Sequence, residues 1–128
     1  MMKKVVQDDT LMRLSSLAEQ TGVSIHCIRT YVDQGMVQVN ERTAGGLLLF
    51  YEPAVERVRF IRTARAAGVP VAKIARLLMV CDQGDDDGAT TSLLELDQYI
   101  QDTRSNVNAF EQSLAQMLSN NNLTREVV

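Results

Sequence analysis

The sequence is short of the residues most chemistries need. Two cysteines in 128 residues, Cys27 and Cys81, are too few to frame a disulfide-stapled fold. No run of about 18 apolar residues occurs, so no membrane span is expected. The opening stretch MMKKVVQDDTLMRLSS lacks the long apolar core of a secretory signal, which makes the cytoplasm the expected compartment. The single histidine, His26, has no serine, cysteine and acid constellation around it in sequence. Cys27 is its neighbour, but adjacent helical positions point about 100° apart and do not make a metal pair. There is no glycine-rich phosphate loop, no His/Cys ligand spacing and no pair of carboxylates on one clear face. No enzyme, metal site or cofactor is expected from such a chain.

What is present is a globular composition with uneven charge. Hydrophobic residues make up 45% and charged residues 23%, close to the average folded domain, so wholesale disorder is not expected. The length fits one domain with an appended element. The net charge of −3 argues against a nucleic-acid partner, but it averages two unlike parts. Residues 1–80 carry eleven Lys/Arg against seven acids, a net of +4, whereas residues 81–128 carry two Arg against nine acids, a net of −7. Such asymmetry points to one part facing a polyanion and another with a separate task.

The pattern along the chain gives those parts shape. A flexible terminus over 1–10 precedes a domain over 11–80. In LSSLAEQT, Leu14, Leu17 and Ala18 share a helical face, with Ser15 as the expected N-cap. Gly22 suits a tight turn. Ser24 then caps a second helix carrying Ile25, Ile28 and Val32 at helical spacing as far as Gly35. Two short helices across Thr-Gly-Val read as a helix-turn-helix. MVQVN and LLLFY, joined through ERTAGG, read as a hairpin and hence as a wing. Pro53 opens a third helix with Ala54, Val55, Val58 and Ile61 inward, Phe60 and Ala64 beside them, and Arg57, Arg59, Arg62 and Arg65 pointing elsewhere. Gly68 ends it, and Pro70 opens a fourth through Ile74, Leu77 and Leu78.

The second part begins with an acidic stretch over 81–92, read as a linker or a frayed helix start. Over 93–119, Leu93, Leu96, Ile100, Thr103, Val107, Phe110, Leu114 and Met117 alternate spacings of three and four. This is a heptad seam of about three and a half repeats. A small domain cannot cover so long a seam, so a second copy is the expected partner and a coiled coil the expected product. The three asparagines from Asn120 begin a tail over 120–128.

On the second helix, Ser24, His26, Arg29 and Thr30 lie outward, where first-turn amides and side chains meet phosphates or base edges. Tyr31 is expected as a core ring with its hydroxyl at the rim, and Cys27 as part-buried packing.

Taken together, LSSLAEQTGVS, IRTYVDQGMV and FYEPAVERVRFIRTARAAGVPVAKIARLL resemble the N-terminal domain of MerR-type transcription regulators. The resemblance covers about 65 residues from Leu14 to Leu78. It rests on Val23-Ser24, Ile28-Arg29-Thr30-Tyr31, Gly35-Met36-Val37 and the spacing from Arg59 to Gly68. It implies a mainly α fold: a winged helix-turn-helix followed by a long dimerisation helix. It also implies a homodimer on double-stranded operator or promoter DNA, with Arg29, Tyr31 and Arg62 gripping the backbone. Ser24, His26 and Thr30 are weaker candidates for base or phosphate contact. Arg42, in the wing, is expected as a contact from its charge and position.

Two departures narrow this reading. The basic entry into the family's third helix is replaced by Leu48-Leu49-Phe50, and the mercury sensor's first cysteine aligns with Asp86, with no cysteine after position 81. The wing, with Gly45-Gly46 ahead of it, is similar to that of the family's secondary regulators of mercury-resistance operons. That likeness implies down-regulation alongside the mercury sensor and RNA polymerase. An activator answering another effector, and a protein-interaction module pairing through its C-terminal helix, are the competing readings.

Overall fold

The computed structural model describes residues 10–121. Within them run a short strand β1 (Met12–Arg13), helices α1 (Leu14–Thr21) and α2 (Ile25–Asp33), strands β2 (Glu41–Arg42) and β3 (Leu48–Phe50), and helices α3 (Pro53–Ala66), α4 (Val71–Asp82) and α5 (Asp86–Asn120). The chain divides into two compact units at Asp86.

The first unit is built around a small core. Leu17, Ile28, Phe50, Val58 and Ile61 are wholly enclosed, and Met36, Val55 and Ile74 are nearly so. Each contributes about 1.5–3 kcal/mol through burial, which is what a domain of this size has to offset its chain entropy. α1 packs against α2 and α3, and α3 against α4. The inward face read from the sequence for α3 is seen at Ala54, Val55, Val58 and Ile61. Phe60 lies 46% exposed, turned away from that stripe. On α2 only Ile28 is buried; Ile25, one turn earlier, is 41% exposed at the free end of the helix.

The helix-turn-helix connection is held by one hydroxyl. Gly22 takes φ +74°, a left-handed conformation that costs other residues about 1–2 kcal/mol. Thr21, buried beside it, donates its Oγ1 proton to the Leu17 carbonyl at 2.8 Å, and the same oxygen accepts the Val23 amide at 3.3 Å. Ser24 caps α2 as expected, its Oγ accepting the Cys27 amide at 3.1 Å. The corresponding role for Ser15 is not seen. α1 starts at Leu14, because Arg13 is drawn into extended geometry by the sheet and no side chain caps the helix.

That sheet has three strands in the order β1-β3-β2, all antiparallel. Met12 faces Phe50 and Arg13 faces Leu49 across one edge, while Glu41 and Arg42 face Leu49 and Leu48 across the other. The hairpin therefore pairs through Glu41-Arg42. Of MVQVN only Asn40 joins it, its amide donating to the Leu49 carbonyl at 2.9 Å and its Oδ1 accepting the Tyr51 amide at 2.8 Å, while Met36 and Val37 turn into the core. Its tip is a tight turn: the Gly46 amide bonds the Thr43 carbonyl at 2.9 Å, and the Leu47 amide bonds Thr43 Oγ1 at 3.0 Å.

The second unit is the long helix. The linker expected over 81–92 shrinks to residues 83–85. α4 continues to Asp82, Gly84 breaks it at φ +72°, and α5 starts at Asp86. Consecutive aspartates at a helix N-terminus suit the positive end of its dipole, so the frayed-start alternative was nearer than a linker. α5 ends at Asn120. Residues 122–128 of the expected tail, and 1–9 of the expected flexible terminus, lie outside the described residues.

Candidate nucleic-acid interface

α2 presents its N-terminus outward. Ser24, His26 and Arg29 are exposed and Thr30 is half-buried. Ser24 Oγ takes up the Cys27 amide, which leaves the Ile25 and His26 amides at the exposed start of the helix, where an anion would meet them and the dipole together. Thr30 turns its hydroxyl back to the His26 carbonyl at 3.2 Å, so its oxygen still accepts but its proton is spent. That favours a van der Waals role over donation to phosphate. Cys27, expected as packing, is exposed on the same helix.

The arginines of α3 divide into two groups. Arg57 donates to the Met36 carbonyl at 2.8 Å and pairs with Asp82. Arg59 reaches the Gln20 carbonyl at 3.2 Å and Glu56 at 3.4 Å. Arg65 donates to the Val69 carbonyl at 2.9 Å. These three are occupied by the fold. Arg62 makes no hydrogen bond or ion pair among the described residues. Its guanidinium carbon lies 3.7 Å from where a β-carbon would stand on Gly22, two residues before the Ser24 cap. Arg62 therefore stands at the turn leading into the N-terminus of α2. Arg29 and Arg42 likewise have no such partner among the described residues.

Tyr31 is half-buried. Burial pushes its hydroxyl above the usual tyrosine range, Cys27 adds to this, and the Arg65 guanidinium opposes it. The group stays protonated at neutral pH and remains a donor. Arg42 borders a shallow recess of about 320 Å³ with Val32, Gly35, Val37, Gln38 and Val39, which places the wing's cation beside the exit of α2. The structure thus gathers Ser24, His26, Arg29, Tyr31 and Arg62 around α2 and its turn, with Arg42 at the far end.

One cation escaped the sequence reading. Arg13 is exposed on β1, paired opposite Leu49 of the wing sheet. Nothing in a two-residue strand signals itself by periodicity, so only the pairing reveals this position. The interface residues expected on α5 behave differently along its length. Val107, Phe110, Leu114 and Met117 are 43–63% exposed, Leu93 is 53% exposed, and Leu96 and Ile100 are half-buried. No described helix is long and apolar enough to cross a membrane.

Comparison with known proteins agrees with this geometry. Residues 12–79 match the family described as MerR HTH family regulatory protein. The chain is 38% identical over 104 residues to the HTH-type transcriptional regulator MerD of Acinetobacter calcoaceticus, covering 81% of this chain and 86% of that one. To MerD of Pseudomonas aeruginosa it is 35% identical over 102 residues, covering 80% and 84%. These relatives are transcriptional regulators. A MerR family regulator from Listeria monocytogenes superposes with a TM-score of 0.69 at 18% identity, over 83% of this chain and 80% of that one. HiNmlR, a MerR family regulator lacking the sensor domain and bound to promoter DNA, gives 0.65 at 17% identity, over 82% and 79%. On the strength of the matched domain and of relatives aligned over most of their length, the chain belongs to the MerR helix-turn-helix family of regulatory proteins.

Proposed function

We propose that this chain binds promoter DNA of a mercury-resistance operon as a homodimer and lowers its expression together with the primary mercury-responsive regulator. The observation that carries the DNA contact is the division among the arginines. Those on α3 that brace the fold are occupied, while Arg62, Arg29 and Arg42 have no side-chain partner among the described residues around the recognition helix. Unpaired guanidinium groups beside helical amides are suited to phosphate, and Tyr31 adds a neutral donor. Ser24 and His26 complete the contact set at the N-terminus of α2, with Thr30 packing beside them. The mercury-resistance assignment rests on the likeness to MerD.

The dimer follows from α5. An exposed apolar seam from Val107 to Met117 is too large a liability to leave in water, and a second copy offers a matching surface. Two recognition helices would then address successive half-sites of a duplex. With Leu48 and Phe50 buried where the family's wing is basic, affinity for naked DNA is low, and a second DNA-bound regulator supplies the rest. RNA polymerase is the further partner at such a promoter.

A titration of the purified chain on a mercury-resistance promoter duplex, with and without the primary regulator, tests this reading. It predicts a weak shift alone and a stronger, sequence-specific one with the regulator present. Tight specific binding by the chain alone would refute the need for assistance. No shift under either condition would favour a protein-interaction module acting through α5.

A further inference from the structure

Arg57 joins three parts of the first unit that are far apart in sequence. Its Nε donates to the carbonyl of Met36, 21 residues earlier, at 2.8 Å. Its Nη2 donates to Oδ2 of Asp82, the last residue of α4 and 25 residues later, at 2.5 Å. A second ion pair, Glu56 with Arg59, is a surface contact within one helical turn. The Arg57 pair is different, since the two side chains are only 25% and 32% exposed and wall a recess of about 180 Å³ with Val37, Gln38, Asn40 and Pro53.

The Met36 carbonyl is well placed to transmit that hold. Gly35 reverses the chain at φ +76° directly after α2, and Met36 is then buried to 1%. Its amide returns to the Tyr31 carbonyl at 2.8 Å, and the Val37 amide to the same oxygen at 3.4 Å. Fixing Met36 fixes the exit turn, and the turn is bonded to the last part of the recognition helix. A planar guanidinium can hold a carbonyl and a carboxylate at once in set directions, which an ammonium cannot do as well.

We propose that Arg57 is a positioning residue for DNA recognition, with Asp82 as its anchor, setting the orientation in which α2 is presented. This rests on the DNA-binding reading above. The proposal makes a prediction of unusual sign. Removing a negative charge from a DNA-binding protein ordinarily strengthens its hold on every duplex. Asp82→Asn should instead weaken binding to the preferred sequence, because the clamp slackens.

The test uses the full chain with the primary regulator at a fixed concentration, a mercury-resistance promoter duplex as the preferred sequence, and a scrambled duplex of the same length. For Asp82→Asn and Arg57→Lys the ratio of preferred to scrambled affinity should fall about tenfold, as loss of one oriented charge-assisted bond would give. Arg57→Lys keeps the charge, so its salt slope should be unchanged. The double variant should bind no worse than Arg57→Lys alone, because Asp82 acts only through Arg57. Hydrogen exchange at the Met36 and Val37 amides should quicken in each variant beyond the change in global stability. Stronger binding of Asp82→Asn to both duplexes, unaltered exchange at those amides, or losses that multiply in the double variant would each overturn the proposal. If the wild type shows no preference between the two duplexes even with the regulator present, the DNA-binding reading fails instead, and the exchange measurement alone decides whether the clamp holds the turn.

Discussion

The guanidinium of Arg62 lies against Gly22, its central carbon 3.7 Å from where a β-carbon would project. The two residues are forty positions apart, and their approach sets a cation at the turn that starts the recognition helix. The distance is ordinary contact, so Gly22→Ala would not push Arg62 away. Its cost would come from the backbone, at about 1–2 kcal/mol for φ +74°. A thermal melt should show that loss. Arg62→Ala, with no side-chain bond to lose among the described residues, should leave the melt nearly unchanged and weaken DNA binding, with a salt slope shallower by about one.

Arg59 supplies the contrasting case on the same helix. Its bond to the Gln20 carbonyl braces the end of α1, and Arg59→Ala should cost about 1 kcal/mol in denaturant titration. Arg65→Ala should behave similarly through loss of the Val69 carbonyl bond. Neither should change the salt slope of DNA binding as Arg62→Ala does.

That contrast marks where sequence reasoning stops. Spacing alone placed Arg57, Arg59, Arg62 and Arg65 off the apolar stripe of α3, and the structure agrees on the stripe. Which of them the fold occupies depends on carbonyls at Gln20, Met36 and Val69, none of which has a sequence signature. The Ser24 cap, the Gly22 turn and the Pro53 start were legible because each is a local backbone requirement. Ser15 failed as a cap because β1 pairs with β3, a long-range event that moved the start of α1. The acidic stretch hid the start of α5 because three consecutive aspartates between two glycines look like a linker until the helix dipole is considered.

Ser24 allows stability and binding to be separated. Ser24→Ala removes the cap and should cost about 1 kcal/mol, seen as a lower denaturant midpoint. Ser24→Asp retains a capping oxygen and should melt close to the wild type. It should nevertheless bind DNA more weakly, because a carboxylate would stand where the phosphate is expected. Equal DNA affinity for Ser24→Asp and the wild type would remove the N-terminus of α2 from the interface.

The seam of α5 makes its own prediction. Val107→Asp places a charge at the start of the exposed apolar stripe, and Ile100→Asp places one at a half-buried seam position one heptad earlier. Each should sediment as a monomer at concentrations where the wild type is a dimer. A variant that stays fully dimeric would mean that α5 does not form the interface at that position.

We propose that a chain of net charge −3 holds DNA through a few cations beside α2 that have no side-chain partner among the described residues. The most direct measurement is the dependence of log K on log salt for the wild type and for the combined Arg29→Ala, Arg42→Ala and Arg62→Ala variant, each with the primary regulator present at a fixed concentration. With about 0.9 of slope per phosphate contact, the variant should lie shallower by about two to three per protomer. An unchanged slope, at whatever affinity, would contradict the account.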